Sequence, residues 1–146
     1  MKNLKYFFLA VIALAGCSGY SQKTTDVVKI EFTSMTRGFN KQIVITKDSV
    51  VTTSAGRGSD GQNKRIKLNS KQWEHLMASM EEVSFSKIPD LKSPTEKRMY
   101  DGARHSTITI TAADGTAVSH LFDDEMPNQK LQKLMKEISK LEKSIQ

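Results

Sequence analysis

Apolar residues recur at every second position in short segments of this chain and then switch to helical spacing. That switch constrains the fold more than any other feature. Val28, Ile30 and Phe32 sit two apart and predict a strand over Val27–Thr33 with one buried face. Gln42–Thr46 (QIVIT), Ser49–Ser54 (SVVTTS) and Asn63–Leu68 (NKRIKL, with Ile66 and Leu68 inward) read as three more strands. Thr36-Arg37-Gly38 and Lys47-Asp48 supply turns between them. Asn69 with Gln72 three residues on is a capping-box pattern. Trp73, Leu76, Met77, Met80 and Val83 then share one helical face, with His75 on the other side. Phe85, Ile88 and Leu91 continue the packing in an irregular segment broken by Pro89 and Pro94, and residues 92–104 (KSPTEKRMYDGAR) read as a charged loop. Ser106–Thr111 and Ala117–Phe122 form a hairpin around the Asp114-Gly115 turn signal. Pro127 suits a helix start. Leu131, Leu134, Met135, Ile138, Leu141 and Ile145 make one face of a helix that runs to the chain end.

The order is ββββ-α-ββ-α, with one-sided helices and mostly alternating strands. It predicts an α+β fold, an antiparallel β-sheet with two amphipathic helices packed on one face.

The beginning of the chain predicts where the protein goes. Lys2 and Lys5 precede an apolar run, Tyr6–Ala15, that is too short to span a membrane and has the layout of an export signal. Two cleavage readings compete. Leu14-Ala15-Gly16-Cys17 resembles the bacterial lipobox, which predicts cleavage before Cys17, a diacylglycerol on its thiol and a palmitate-type acyl group on the new N-terminus. Gly19-Tyr20-Ser21 is a small-x-small site, and cleavage after Ser21 would give a soluble periplasmic or secreted protein. The lipobox is favoured because all four positions match and the apolar run ends at the right place. The expected organisation is a signal peptide over 1–16, a polar tether over 17–26 and one domain over 27–146. The expected location is the cell envelope, at the outer membrane, with the protein a lipid-anchored monomer.

Cys17 is the only cysteine of the 146 residues, so the exported domain has no disulfide and no thiolate zinc site. The whole chain carries +6; without Lys2 and Lys5, 20 basic side chains face 16 acidic ones, a net +4. That balance suits an acidic partner or an anionic surface. No stripe of aromatics interleaves with the basic residues as nucleic-acid binding would need.

The segments TRGF (Thr36–Phe39), PTEKRMYDGA (Pro94–Ala103) and LFDDEMP (Leu121–Pro127), with a tryptophan early in the first helix, resemble a group of small lipoproteins and secreted proteins of Bacteroidota. In that group a P-T/S-x-x-R-x-x-D-G-A segment and a later F-D before a Pro-led helix recur. The resemblance implies recurrent polar positions at Arg37 and Asp123 and implies no activity.

Several stretches could carry chemistry. Gly56–Gly61 spells GxGxxG, but a strand-like run follows it where a dinucleotide site needs a helix, so a hairpin loop is expected. Lys130, Lys133, Lys136, Lys140 and Lys143 form a stripe on the last helix, read as a solvated face relieved by Glu137 and Glu142. His105 and His120 lie on consecutive strands and, with Asp101, Asp123 or Asp124, would give an oxygen and imidazole set for a metal. The favoured candidate cluster is Arg37, Arg98, Asp101 and Asp123, at strand ends that can meet at one edge of the sheet. Arginine forks match carboxylates, so Asp101 paired with an arginine would clamp the 92–104 loop and leave a polar groove beside it. Two functions follow: a non-catalytic binding module with a protein partner in the envelope, or a metal-dependent or hydrolytic enzyme built on Asp101, His105, His120 and Asp123. The first is preferred, with no catalytic residue, cofactor or metal assigned, because no nucleophile motif and no zinc motif occur.

Overall fold

A computed structural model of the chain describes residues 26–57, 61–100 and 103–145. Cys17, the export signal and Asp101 lie outside them. Six strands form one antiparallel sheet: β1 (Val27–Thr36), β2 (Phe39–Thr46), β3 (Ser49–Gly56), β4 (Gln62–Lys67), β5 (His105–Ala112) and β6 (Ala117–Asp123), in the spatial order β4-β3-β2-β1-β5-β6. Helix α1 (Ser70–Ala78) follows β4, and α2 (Gln132–Lys143) follows β6. The α+β architecture is therefore as the apolar pattern predicts.

Local chemistry explains the joints. Arg37-Gly38 and Lys47-Asp48 are two-residue loops, with Thr36 paired to Phe39 across the first. Between β5 and β6, Gly115 takes φ +85°, a conformation side chains rarely adopt. The Asp114 carboxylate accepts the Thr116 N–H at 2.9 Å there. The Asn69 carboxamide accepts the Gln72 N–H at 2.9 Å and Gln72 returns the bond at 3.0 Å, which completes the capping box.

Three differences from the sequence expectations have physical causes. Strand β2 starts at Phe39, three residues before Gln42, because Lys41 faces inward like Ile43 and Ile45. Helix α1 stops at Ala78, short of Val83: the Ser79 hydroxyl donates to the Leu76 carbonyl at 2.6 Å and the following turns close with i to i+3 bonds. Pro127 precedes the helix instead of opening it. Asn128 caps a 3-10 turn, Gln129–Leu131, by accepting the Lys130 N–H, and α2 begins after that.

The core lies between the helices and one sheet face. Ile30, Phe32, Ile43, Ile45, Ile108, Ile110 and Phe122 from the strands meet Trp73 and Leu76 of α1 and Leu134, Met135, Ile138 and Leu141 of α2 in one buried cluster. The opposite face carries Glu31, Thr33, Gln42, Thr107 and Thr109, all partly exposed, with the Gln42 amide donating to Glu31 at 2.8 Å. Register places Val27 at one end of the sheet, beside Ala112, and Met35 at the other, beside His105. The site lies at the Met35 end.

Candidate functional site

Alternation along β6 turns His120 and Phe122 toward the core and Leu121 outward, so Asp123 should point to solvent with Leu121. Yet Leu121 is 49 % exposed and Asp123 only 1 %. The 92–104 segment makes the difference. Thr95 Oγ1 donates to the Asp123 carboxylate at 2.6 Å, the Lys97 N–H at 2.6 Å, the Arg98 N–H at 3.0 Å and Arg98 Nη1 at 3.3 Å. Two successive N–H groups and a hydroxyl converging on one anion form a nest. Burial alone pushes the Asp123 carboxyl up, but the hydrogen bonds from Thr95, the Arg98 and Lys97 backbone and the Arg98 guanidinium outweigh it and hold the group below its ordinary value. The chain turns sharply after it: Asp124 sits at φ 54° and the Met126 N–H donates back to the Asp123 carbonyl at 3.1 Å.

Thus Asp123 fastens the loop, and Arg98 is its arginine partner; Asp101, expected in that role, lies outside the described residues. Arg37 stands at the tip of the β1–β2 hairpin. Together with Arg57 and Arg98 it lines an open cleft of about 1010 Å³ at this end of the sheet. The rest of the described wall is Met35, Thr36, Gly38, Met99, Tyr100, Ala103 and His105. Met35 is 51 % exposed, Met99 74 % and Tyr100 77 %, so apolar surface is presented to solvent between the guanidinium groups. Gly38 sets the position of Arg57: a Cβ there would stand 3.3 Å from Arg57 Cγ and Nε, and the Arg57 N–H donates to the Gly38 carbonyl at 3.0 Å.

The histidine pair is corrected by register. His105 is opposite Asp123 and His120 opposite Ile108, three residues further along β5. His105 is exposed on the outer face, whereas His120 is 2 % exposed on the core face, so the sheet separates them. Among the described residues no three His, Cys, Asp or Glu side chains gather as metal ligands would. His120 is a packing residue. Its ring stacks on Phe122 at 5.4 Å, and Nε2 accepts the Asn128 N–H at 3.1 Å, which leaves the other nitrogen to carry the proton. Burial lowers its pKa, the Leu91 backbone hydrogen bond opposes that, and the Arg98 charge lowers it further.

Lys41, which strand reasoning left outside β2, closes the core below the cleft. Its ammonium lies 2.8 Å from Glu125, 3.1 Å from Glu142 of α2 and 5.5 Å from the Phe32 ring centroid. Next to it, Ser106 and Ser34 hydroxyls stand 3.1 Å apart, and Ser106 also donates to the Asp124 carbonyl. The core is therefore polar at this end and fully paired. A second, more apolar cleft of about 640 Å³ lies at the other end, between Trp73, Met77, Met80 and Phe85, where Asp26 enters β1.

Met99 and Tyr100 escape sequence reasoning because nothing local distinguishes an exposed tyrosine in a loop from any other, whereas Arg57 is legible only as part of a glycine-rich loop that could form an anion nest with Lys64. The Thr95-to-Arg98 nest does have a signal, a hydroxyl residue followed by a short turn, but its anion is 25 to 28 residues away. Compared with known protein families, curated proteins and solved structures, the chain matches none.

Proposed function

We propose that the chain is an exported protein, lipid-anchored through Cys17 at the cell envelope, that works as a non-catalytic binding module and takes a protein partner in the arginine cleft. This reading also puts it with the small Bacteroidota lipoproteins that its PTEKRMYDGA and LFDDEMP segments resemble. One observation carries it: three arginines and three exposed side chains, Met35, Met99 and Tyr100, line one cleft, and a buried carboxylate fixes the backbone at Lys97 and Arg98 beside it. The use made of Asp123 favours binding over catalysis. All of its described donors belong to the 92–104 loop, so the carboxylate is engaged as a post and is not poised to move a proton. The anchor suits the layout. Cys17 and Asp26 are nine peptide steps apart, a reach of at most about 30 Å, and Asp26 sits at the end of β1 opposite the cleft.

The test is co-purification of the full chain from its own envelope. Wild-type protein should bring down a partner that Tyr100→Ala loses, while both unfold at the same urea midpoint. A Tyr100→Ala protein that keeps every partner would contradict the reading.

A further inference from the structure

We infer that the cleft receives an extended acidic segment of its protein partner, with a carboxylate against Arg57 and an apolar side chain against Met35, Met99 and Tyr100. The inference rests on the binding-module reading above and adds the chemistry of the ligand.

Composition is the first argument. The centres of protein interfaces are enriched in Tyr, Met and Arg and depleted in Lys, Glu and Asp. The described lining of the cleft contains three Arg, two Met and one Tyr, and no Lys or Glu. Lysine is abundant elsewhere, as on the outer face of α2 with Lys133, Lys136, Lys140 and Lys143. The cleft is thus unlike the rest of the basic surface.

Charge and preorganisation come second. A guanidinium offers a planar fork that a carboxylate fills with two parallel hydrogen bonds. Arg57 lies along Gly38 at a contact a side chain there would crowd, so its stem is already placed. Met99 and Tyr100 follow directly on Lys97 and Arg98, whose N–H groups are fixed by Asp123. Exposed side chains that project from a fixed backbone lose less freedom on binding.

Shape is the third argument. Thioethers adapt to irregular side chains, as a peptide requires; the described lining offers the Tyr100 ring and the small His105 imidazole, less than the broad flat platform that would stack a run of sugar rings. Position agrees. Met35 is eight residues along β1 from Val27, about 27 Å at the usual strand rise, so the cleft opens away from the point where the tether enters. That favours a partner in the space beyond the anchoring membrane over lipid headgroups.

The experiment uses the full chain in detergent and a fluorescent peptide alternating glutamate and phenylalanine. The peptide should bind, and more weakly as ionic strength rises. Arg57→Gln and Tyr100→Ala should each weaken it about tenfold or more. Lys136→Gln on α2 should change nothing, and a lysine and phenylalanine peptide should fail to bind. If Arg57→Gln does not fold, Tyr100→Ala decides alone, because its side chain is exposed. Equal binding by wild type and Tyr100→Ala overturns the inference. Polygalacturonate that binds in the cleft more tightly than the peptide overturns the peptide class and leaves a binding module. Cleft amide resonances that neither probe moves overturn both.

Discussion

A carboxylate only 1 % exposed costs several kcal/mol of desolvation unless it is paired and hydrogen-bonded. Asp123 meets that condition with two backbone N–H groups, a hydroxyl and a guanidinium. Asp123→Asn keeps the shape but gives up the charge that these donors require. It should lower unfolding stability by about 1 to 3 kcal/mol, read as a lower urea midpoint at unchanged slope. The pH dependence has a definite sign. The folded carboxyl titrates below its ordinary 3.8, so the unfolded chain takes up the proton first as pH falls. The stabilisation is complete above about 3.8 and is lost as pH drops through the folded value; Asp123→Asn should lack that part of the acid loss. His120 acts at a higher pH. Its folded pKa lies below 6.5, so the folded state excludes a proton that the unfolded state accepts. Stability is full above about 6.5 and falls as pH drops below it, and His120→Gln should flatten that slope in urea titrations from neutral to mildly acidic pH.

Among the elements, β1, β5 and both helices are legible because burial imposes a period on their sequence. Ile30 and Phe32, or Leu134, Ile138 and Leu141, must face one way whatever else the chain does. The 92–104 segment has no such period. Whether Asp123 or Asp124 is the one it covers depends on a contact between β6 and a loop that precedes β5, which local pattern does not encode. Lys41 is illegible for a similar reason: it looks like a solvent residue until Glu125 and Glu142 arrive from elements far along the chain. Two predictions belong at this scale. Trp73 on α1 is 9 % exposed among Leu76 and the strand residues, so Trp73→Ala should cost about 3 to 5 kcal/mol. An unchanged thermal midpoint would show that the ring is not part of the core. The β3–β4 hairpin should accept two extra residues between Gly56 and Gly61 with its fold intact, because strand pairing ends at Ser54 and Gln62. Loss of the native circular dichroism spectrum on insertion would show that connection to be packed.

For the molecule as a whole, β1 begins next to Asp26 at one end of the sheet and reaches the arginine cleft at the other. We propose that the protein is fastened at the first end and recognises a partner at the second. Cys17→Ala should convert a membrane-bound protein into a soluble or unprocessed one. A mature-length Cys17→Ala protein that still fractionates with membranes would remove the lipid anchor from the account. The cleft is tested most directly by site-specific photo-crosslinking in intact cells, with a photoreactive phenylalanine analogue in place of Tyr100 and, separately, in place of Lys136 on α2. The account predicts one discrete adduct from position 100, lost when Arg57→Gln is added, and none from position 136. No adduct at position 100, or the same adducts from both positions, would contradict it.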